Sequence, residues 1–266
     1  MSAGRHIQLE LGERYAQLVF DRPEARNALS SRVMEEAEAA MGVVEAWAHE
    51  GPRHVALLLS SSDPRIFVAG ADLKELCHLH GYEGGRAFAE RGRRLLDRLE
   101  DLPIPVVAAM EGPALGGGAE LALACDLRVM AESSYFSFVQ LRVGIVPGWG
   151  GGRRLAEIVG WKRALGLFAT TARLPAAEAL NLGLADRLAS DGRALDEALK
   201  LVEEMAALPP LAVRTLKPLL TRLSTVPRSE GEEFEADAFG RLWATADHEE
   251  AIASLMDRRR GEFHGE

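Results

Sequence analysis

The chain has 266 residues, 47% hydrophobic and 27% charged, with a net charge of −9. That is the composition of a globular protein able to bury a sizeable core, as one large domain or two small ones. The acidic balance argues against a general affinity for nucleic-acid phosphates, and two cysteines outside any CxxC pair, Cys77 and Cys125, argue against a disulfide framework or structural zinc site.

The opening stretch MSAGRHIQLELGER lacks the apolar centre of a secretion signal. No apolar run approaches the ~20 residues that span a bilayer. The expectation is a cytoplasmic protein with reduced thiols and no membrane contact. HIQLEL and YAQLVF, on either side of Gly12-Glu13-Arg14, alternate as a hairpin does. Ser30 or Ser31 is positioned to cap a helix running to about Ala48, with Val33, Ala37, Ala40, Met41 and Val44 on one face. HVALLLS (residues 54–60) is the continuous apolar run of a strand buried on both faces. Helices are predicted near residues 71–80 and 82–101, the first carrying Cys77, and PVVAAM reads as another buried strand. The glycine run Gly116–Gly118 opens a helix to about Cys125, and LRVM and YFSFV are strand-like. From Trp149 onward the pattern is mostly helical, with Pro175 at a helix start and a short strand within residues 184–188. ALPPLAV and residues 225–230 separate the late helices, the last running from about Glu233 to Arg260. The expected fold class is α/β, with a mixed core over residues 1–190 and a helical extension over 191–266.

The stretch GPALGGGAELALACD sets one carboxylate, Glu120, just beyond three consecutive glycines. Two readings are open. The glycines can simply make a tight turn, with Glu120 favoured by the helix dipole. Alternatively, glycine lets a ligand approach the backbone closely, and the first N–H groups of a helix are free to face an oxygen that becomes anionic during reaction. Loss of one such donor costs about 3 kcal/mol of barrier in known sites. The run is not a phosphate cradle, because neither GxGxxG nor G-x-x-x-x-G-K-S/T occurs, and G-x-S-x-G is absent too. A second stretch, IFVAGADLKEL, places Gly70 and Ala71 before another helix, so backbone N–H groups at Ala71 and Gly117 could converge on one oxygen. No cluster with metal-ligand spacing occurs, so no metal is expected.

DRPEARNALS, FVAGADLKEL, GPALGGGAELALACD and VGIVPGWGGGRRL, in this order, resemble the enoyl-CoA hydratase/isomerase (crotonase) family over about residues 6–260. The resemblance implies a crotonase-like spiral of ββα units with a helical C-terminal region, and a homotrimer or dimer of trimers. It implies an acyl-CoA substrate with no further cofactor, and a thioester enolate held by the N–H groups of Ala71 and Gly117. It also places Ala25, Arg26, Ala28, Ala69, Gly70, Asp72, Leu73, Lys74, Gly116 and Trp149 around the CoA or acyl chain. Arg258–Arg260 and Phe263 sit where this family can reach a neighbouring subunit's CoA.

One position departs from the family pattern. Hydratases of the family have a second glutamate before the GIVPG turn, and here that position is Gln140. Glutamine hydrogen-bonds but carries no proton at ordinary pH, and loss of one proton-transfer group costs about 10²–10⁴-fold. The expectation is therefore a lyase that decarboxylates a malonyl-type thioester, ethylmalonyl- or methylmalonyl-CoA, because loss of CO2 generates the enolate directly. The segment around Trp149 resembles the ethylmalonyl-CoA decarboxylase branch, and in that reading Glu120 positions the substrate or relays the proton while Gln140 hydrogen-bonds the departing carboxylate or a water. The alternatives are a 2-enoyl-CoA hydratase using Glu120 alone and a non-catalytic acyl-CoA binder. His78 and His80 (surface residues or acyl-pocket residues) complete the candidates; Arg142 and Glu132 lie nearby in sequence, but nothing in the sequence shows that either replaces the missing carboxylate.

Overall fold

The structure is a computed structural model and describes residues 4–266. Residues 1–3, the start of the stretch read for a leader, lie outside the described residues. In chain order the elements are β1 (Ile7–Leu11), β2 (Tyr15–Phe20), α1 (Ser31–Glu50), β3 (Ala56–Ser61), α2 (Leu73–Leu76), α3 (Gly81–Glu100), β4 (Val106–Met110), β5 (Ala114–Leu115), α4 (Gly117–Leu123), β6 (Leu127–Ala131) and β7 (Tyr135–Ser137). They continue as α5 (Gly151–Val159), α6 (Trp161–Thr170), β8 (Arg173–Pro175), α7 (Ala176–Asn181), β9 (Arg187–Ala189), α8 (Ala194–Ala206), α9 (Pro210–Thr225), α10 (Arg228–Trp243) and α11 (Ala246–Asp257). Short 3-10 turns cover Pro23–Ala25 and Val139–Val143.

The main sheet has strand order β1-β2-β3-β4-β6-β9. β1 and β2 form the expected antiparallel hairpin, and every other neighbour is parallel. The continuous apolar runs of β3 and β4 have a direct cause. Successive side chains point to opposite faces of a strand, and both faces are covered. Leu57, Leu59, Val106 and Ala108 enter a core that includes Val33, Ala37, Ala40, Met41 and Val44 of α1. Ala56, Leu58, Val107 and Ala109 enter a second core that includes Ala194, Ala198 and Val202 of α8. The first helix of the C-terminal region thus packs directly on the sheet. A smaller sheet, β5-β7-β8, stands beside the main one.

Ser30, not Ser31, caps α1: its hydroxyl accepts from the Val33 N–H at 3.2 Å. Several expected boundaries shift for local reasons. The helix expected over 71–80 shortens to α2, because the Asp72 side chain caps the Lys74 N–H and Ala71 lies in an extended bridge with Leu29. Cys77 thus falls just past that helix. α4 ends at Leu123 rather than Cys125, since the Asp126 N–H turns away to the Val106 carbonyl. Pro175 ends β8 and caps α7 from outside. The single last helix expected over 233–260 is two helices, because Thr245 caps a new one by accepting from the His248 N–H at 3.1 Å. Among the described residues no helix is long and apolar enough to cross a membrane.

Candidate active site

Register creates the site. The segment before α2 runs parallel to β5: the Phe67 N–H donates to the Pro113 carbonyl at 2.9 Å, Val68 bridges Ala114, and the Leu115 N–H donates to the Val68 carbonyl at 3.1 Å. Three residues further along each strand stand Ala71 and Gly117. The hydrogen bonds flanking Ala71 run from Leu29 N–H to Gly70 O at 2.7 Å and from Asp72 N–H to Leu29 O at 3.2 Å. The Ala71 N–H takes part in neither. The Gly117 N–H opens α4, where a helix has no internal acceptor to offer. Two segments far apart in sequence are thereby brought together, with Gly70 packed against the Gly117 nitrogen.

The glycines here have separate reasons. Gly70 has φ +95°, and a Cβ on it would lie 3.0 Å from the Gly117 nitrogen and 2.8 Å from the Leu115 oxygen. At Gly117 a Cβ would strike the Trp149 ring at 2.2 Å, and at Gly118 the Val68 oxygen at 2.0 Å. The glycine run is thus where α4 seats against the neighbouring strand on one side and a tryptophan on the other.

Glu120 is one turn along α4 from Gly117 and therefore shares its face. It is only 2% exposed. Its Oε1 accepts from Gln140 Nε2 at 2.9 Å, and its Oε2 accepts from the Trp149 N–H at 2.9 Å and the Gly151 N–H at 2.8 Å. A buried carboxylate needs such donors, since burial without them is costly. Gln140, also buried, sits in the 3-10 turn at Val139–Val143. Arg142 turns away, with Nε on the Thr171 hydroxyl at 2.8 Å, and Glu132 is exposed with its N–H on the Ala189 carbonyl, so neither stands in for a second carboxylate at Glu120.

The expected ligand-contact residues separate into two groups. Ala25, Arg26 and Ala28 are stitched to the 69–74 segment: the Ala69 N–H donates to the Arg26 carbonyl at 3.2 Å, and Arg22 Nη1 reaches both the Ala28 carbonyl at 3.1 Å and Asp72 Oδ2 at 2.7 Å. Leu73 and Lys74 lie exposed on the same rim, beside Gly70 and Ala71. Asp72, in contrast, is buried with both carboxylate oxygens engaged inside the chain; although burial opposes ionisation, Arg22 and the Lys74 N–H hold its carboxyl below the ordinary value. Trp149 is likewise buried, with its ring behind Gly117 and tilted on Phe88 at a centroid distance of 5.5 Å. Gly116, with φ +51°, makes the turn into α4. His78 and His80 are exposed, and Arg259 is committed to Glu250 of its own chain at 2.5 Å. Among the described residues no group of His, Cys, Asp and Glu could hold a metal ion.

The N–H groups of Trp149 and Gly151 as the clamp on Glu120, and the arginine that steadies them, were not anticipated from sequence. Arg154 is 2% exposed, donates to the Trp149 carbonyl at 2.6 Å and pairs with Asp97 at 3.0 Å and Glu100 at 2.5 Å. The available signal was the second glycine run, PGWGGG: a Cβ on Gly151 would lie 2.4 Å from Glu120 Cγ.

The chain thus combines a mostly parallel sheet flanked by helices with a buried carboxylate clamped by two backbone N–H groups and an amide, one turn beyond a glycine run. The family model for enoyl-CoA hydratase/isomerase matches residues 11–266, and the chain belongs to that family. It is 36% identical over 261 residues to a probable enoyl-CoA hydratase of Bacillus subtilis, covering 98% of this chain and 99% of that protein. It is 33% identical over 261 residues to a crotonyl-CoA hydratase of Syntrophomonas wolfei, covering 98% of both. The crystal structure of an enoyl-CoA hydratase from Bacillus anthracis superimposes with a TM-score of 0.91 at 30% identity, over 98% of this chain and all of that one. The crotonase fold and the assignment as an enzyme of this family follow.

Proposed function

We propose that the chain is a 2-enoyl-CoA hydratase in which the thioester oxygen lies on the Ala71 and Gly117 N–H groups and Glu120 handles the proton. The register that brings Ala71 and Gly117 together one turn before a buried, clamped carboxylate supports enolate chemistry, and the observation that favours hydration is that the relatives of this chain are named as hydratases. As water adds to the β-carbon, the electron pair of the double bond passes to the thioester oxygen, where two N–H donors meet the developing charge. Glu120 then has a role at the α-carbon, which must gain a proton. The stitched rim at residues 25–28 and 69–74 is the proposed seat of the CoA portion, with Lys74 facing its phosphates. We also propose a homotrimer or dimer of trimers; exposed Trp161, Leu165, Phe239, Trp243 and Leu255 support a self-associating surface.

Decarboxylation of a malonyl-type thioester is the second reading, favoured by one observation: Gln140 stands where a second carboxylate is expected, and neither Arg142 nor Glu132 replaces it. Mass spectrometry of crotonyl-CoA, ethylmalonyl-CoA and methylmalonyl-CoA incubated with the chain and with Glu120→Ala separates the two. Water gained by crotonyl-CoA, lost in Glu120→Ala, is the expected result. CO2 lost from a malonyl-type substrate would replace hydration with decarboxylation, and tight binding with no product would make the chain a binder.

A further inference from the structure

Gln140 is 6% exposed, and among the described residues its buried Oε1 has no hydrogen-bond partner. The amide cannot be turned over to relieve this. Its Nε2 donates to Glu120 Oε1 at 2.9 Å, and a carboxylate oxygen facing an amide oxygen would pair two acceptors. The unpaired Oε1 is therefore fixed as an acceptor, bonded to the same carbon as the nitrogen that touches Glu120. An enclosed acceptor without a donor costs about 1–3 kcal/mol, which a small O–H donor removes. A carboxylate oxygen of Glu120 beside it is a second acceptor.

We infer that Gln140 holds the attacking water molecule, which donates one hydrogen to Gln140 Oε1 and the other to Glu120 Oε1, and that Glu120 is the only proton carrier of the reaction. This rests on the hydration reading. The step balances without a second acid. The water oxygen bonds to the β-carbon while its proton passes to Glu120, and the enolate forms on the Ala71 and Gly117 N–H groups. Glu120 then returns that proton to the α-carbon, so the enzyme ends as it began. Gln140 orients and cannot titrate. The remaining charged groups on the elements packed against α4 and the Gln140 turn stand apart from this pair. Arg142 bonds Thr171, Arg153 pairs with Glu157 and Glu100, and Arg154 is held by Trp149, Asp97 and Glu100. Lys162 and Arg163 on α6 are exposed.

A crystal structure of the free 266-residue chain, with its ordered waters, tests the placement. The expected result is one water about 2.6–3.2 Å from both Gln140 Oε1 and Glu120 Oε1; a dry site, or a protein donor on Oε1, overturns the inference. Crotonyl-CoA hydration kinetics test the role. Wild-type kcat should rise through a single ionisation and level off, Gln140→Met should lower kcat at least 10-fold with little change in KM, and Gln140→Glu should add a descending limb. A Gln140→Met chain with wild-type kcat, or a wild-type profile already bell-shaped with Gln140→Glu unchanged, overturns it. Absence of hydration by the wild type would sink the proposed function and this inference with it, whereas hydration with no water on Gln140 Oε1, or with Gln140→Met at the wild-type kcat, would overturn this inference and leave the proposed function standing.

Discussion

Replacing Gly117 by alanine tests whether the glycine run is a steric requirement of the site. The added Cβ would stand 2.2 Å from Trp149 Cζ3 and 2.8 Å from Cε3 and Cη2, where carbon atoms rest at about 3.5–4.0 Å. The ring must retreat by more than about 1 Å, yet it has no room. It already packs so tightly on Gly92 that a Cβ there would lie 2.2 Å from Nε1, and its other side leans on Phe88. Overpacking of this kind costs about 1–3 kcal/mol, which for a chain of this length is a fall in Tm of roughly 2–12 °C. The strain also reaches the reaction, because the Trp149 N–H holds Glu120 Oε2. A displacement near 1 Å in a positioned group costs on the order of 10²-fold in rate. Trp149→Leu removes all three offending atoms. Alone it leaves a cavity costing about 2–5 kcal/mol, but combined with Gly117→Ala it should show a favourable coupling above about 1 kcal/mol. Thermal melts and turnover of the four chains decide this. A Gly117→Ala chain that melts and turns over as wild type would refute the steric argument. So would stability changes that simply add.

Glu120→Gln should abolish most turnover, by about 10²–10⁴-fold, which steady-state kinetics checks. Burial opposes ionisation of Glu100, but Arg154 and Arg153 outweigh it and hold its carboxyl below the ordinary 4.5. Its contribution to stability is therefore complete above pH 4.5 and is lost as pH falls through the lower folded value; Tm measured from pH 6 to 3 should fall less steeply in Arg154→Met than in wild type. Burial pushes the Cys125 thiol up to about 12 while Cys77 is exposed, so a thiol reagent at pH 8 should label Cys77 alone until the chain is unfolded. Light scattering of the purified chain should give three or six copies, and a monomer would remove the proposed assembly.

How far the sequence carries depends on the range of the interaction. α1 was legible because its apolar spacing is local and a serine cap was expected at Ser30 or Ser31, of which Ser30 is the one used. β3 and β4 were legible because strands covered on both faces become continuous apolar runs. The end of the chain was not: Ala244 and Thr245 interrupt a stretch whose charges fall on every side, and the new cap is a single threonine hydroxyl. β5 and β8 escaped because strands of two or three residues carry no period to read; their existence is decided by β7, which they flank.

The site shows the same division. Small residues before two helices pointed to Ala71 and Gly117, but that the two segments lie together is a matter of register between stretches 46 residues apart, fixed by the Val68–Ala114 bridge. The clamp on Glu120 comes from further still, from a turn about thirty residues downstream that only a glycine can bring so close. That turn also changes the meaning of Gln140. Read alone, a glutamine in place of a carboxylate looks like a loss of chemistry. Set against a Glu120 whose Oε2 is already occupied by two backbone N–H groups, it does something a glutamate could not do while ionised. It donates to the remaining carboxylate oxygen and still offers an acceptor of its own. Two ionised glutamates at this distance would repel, and the amide removes that repulsion while leaving the geometry for a shared donor in place.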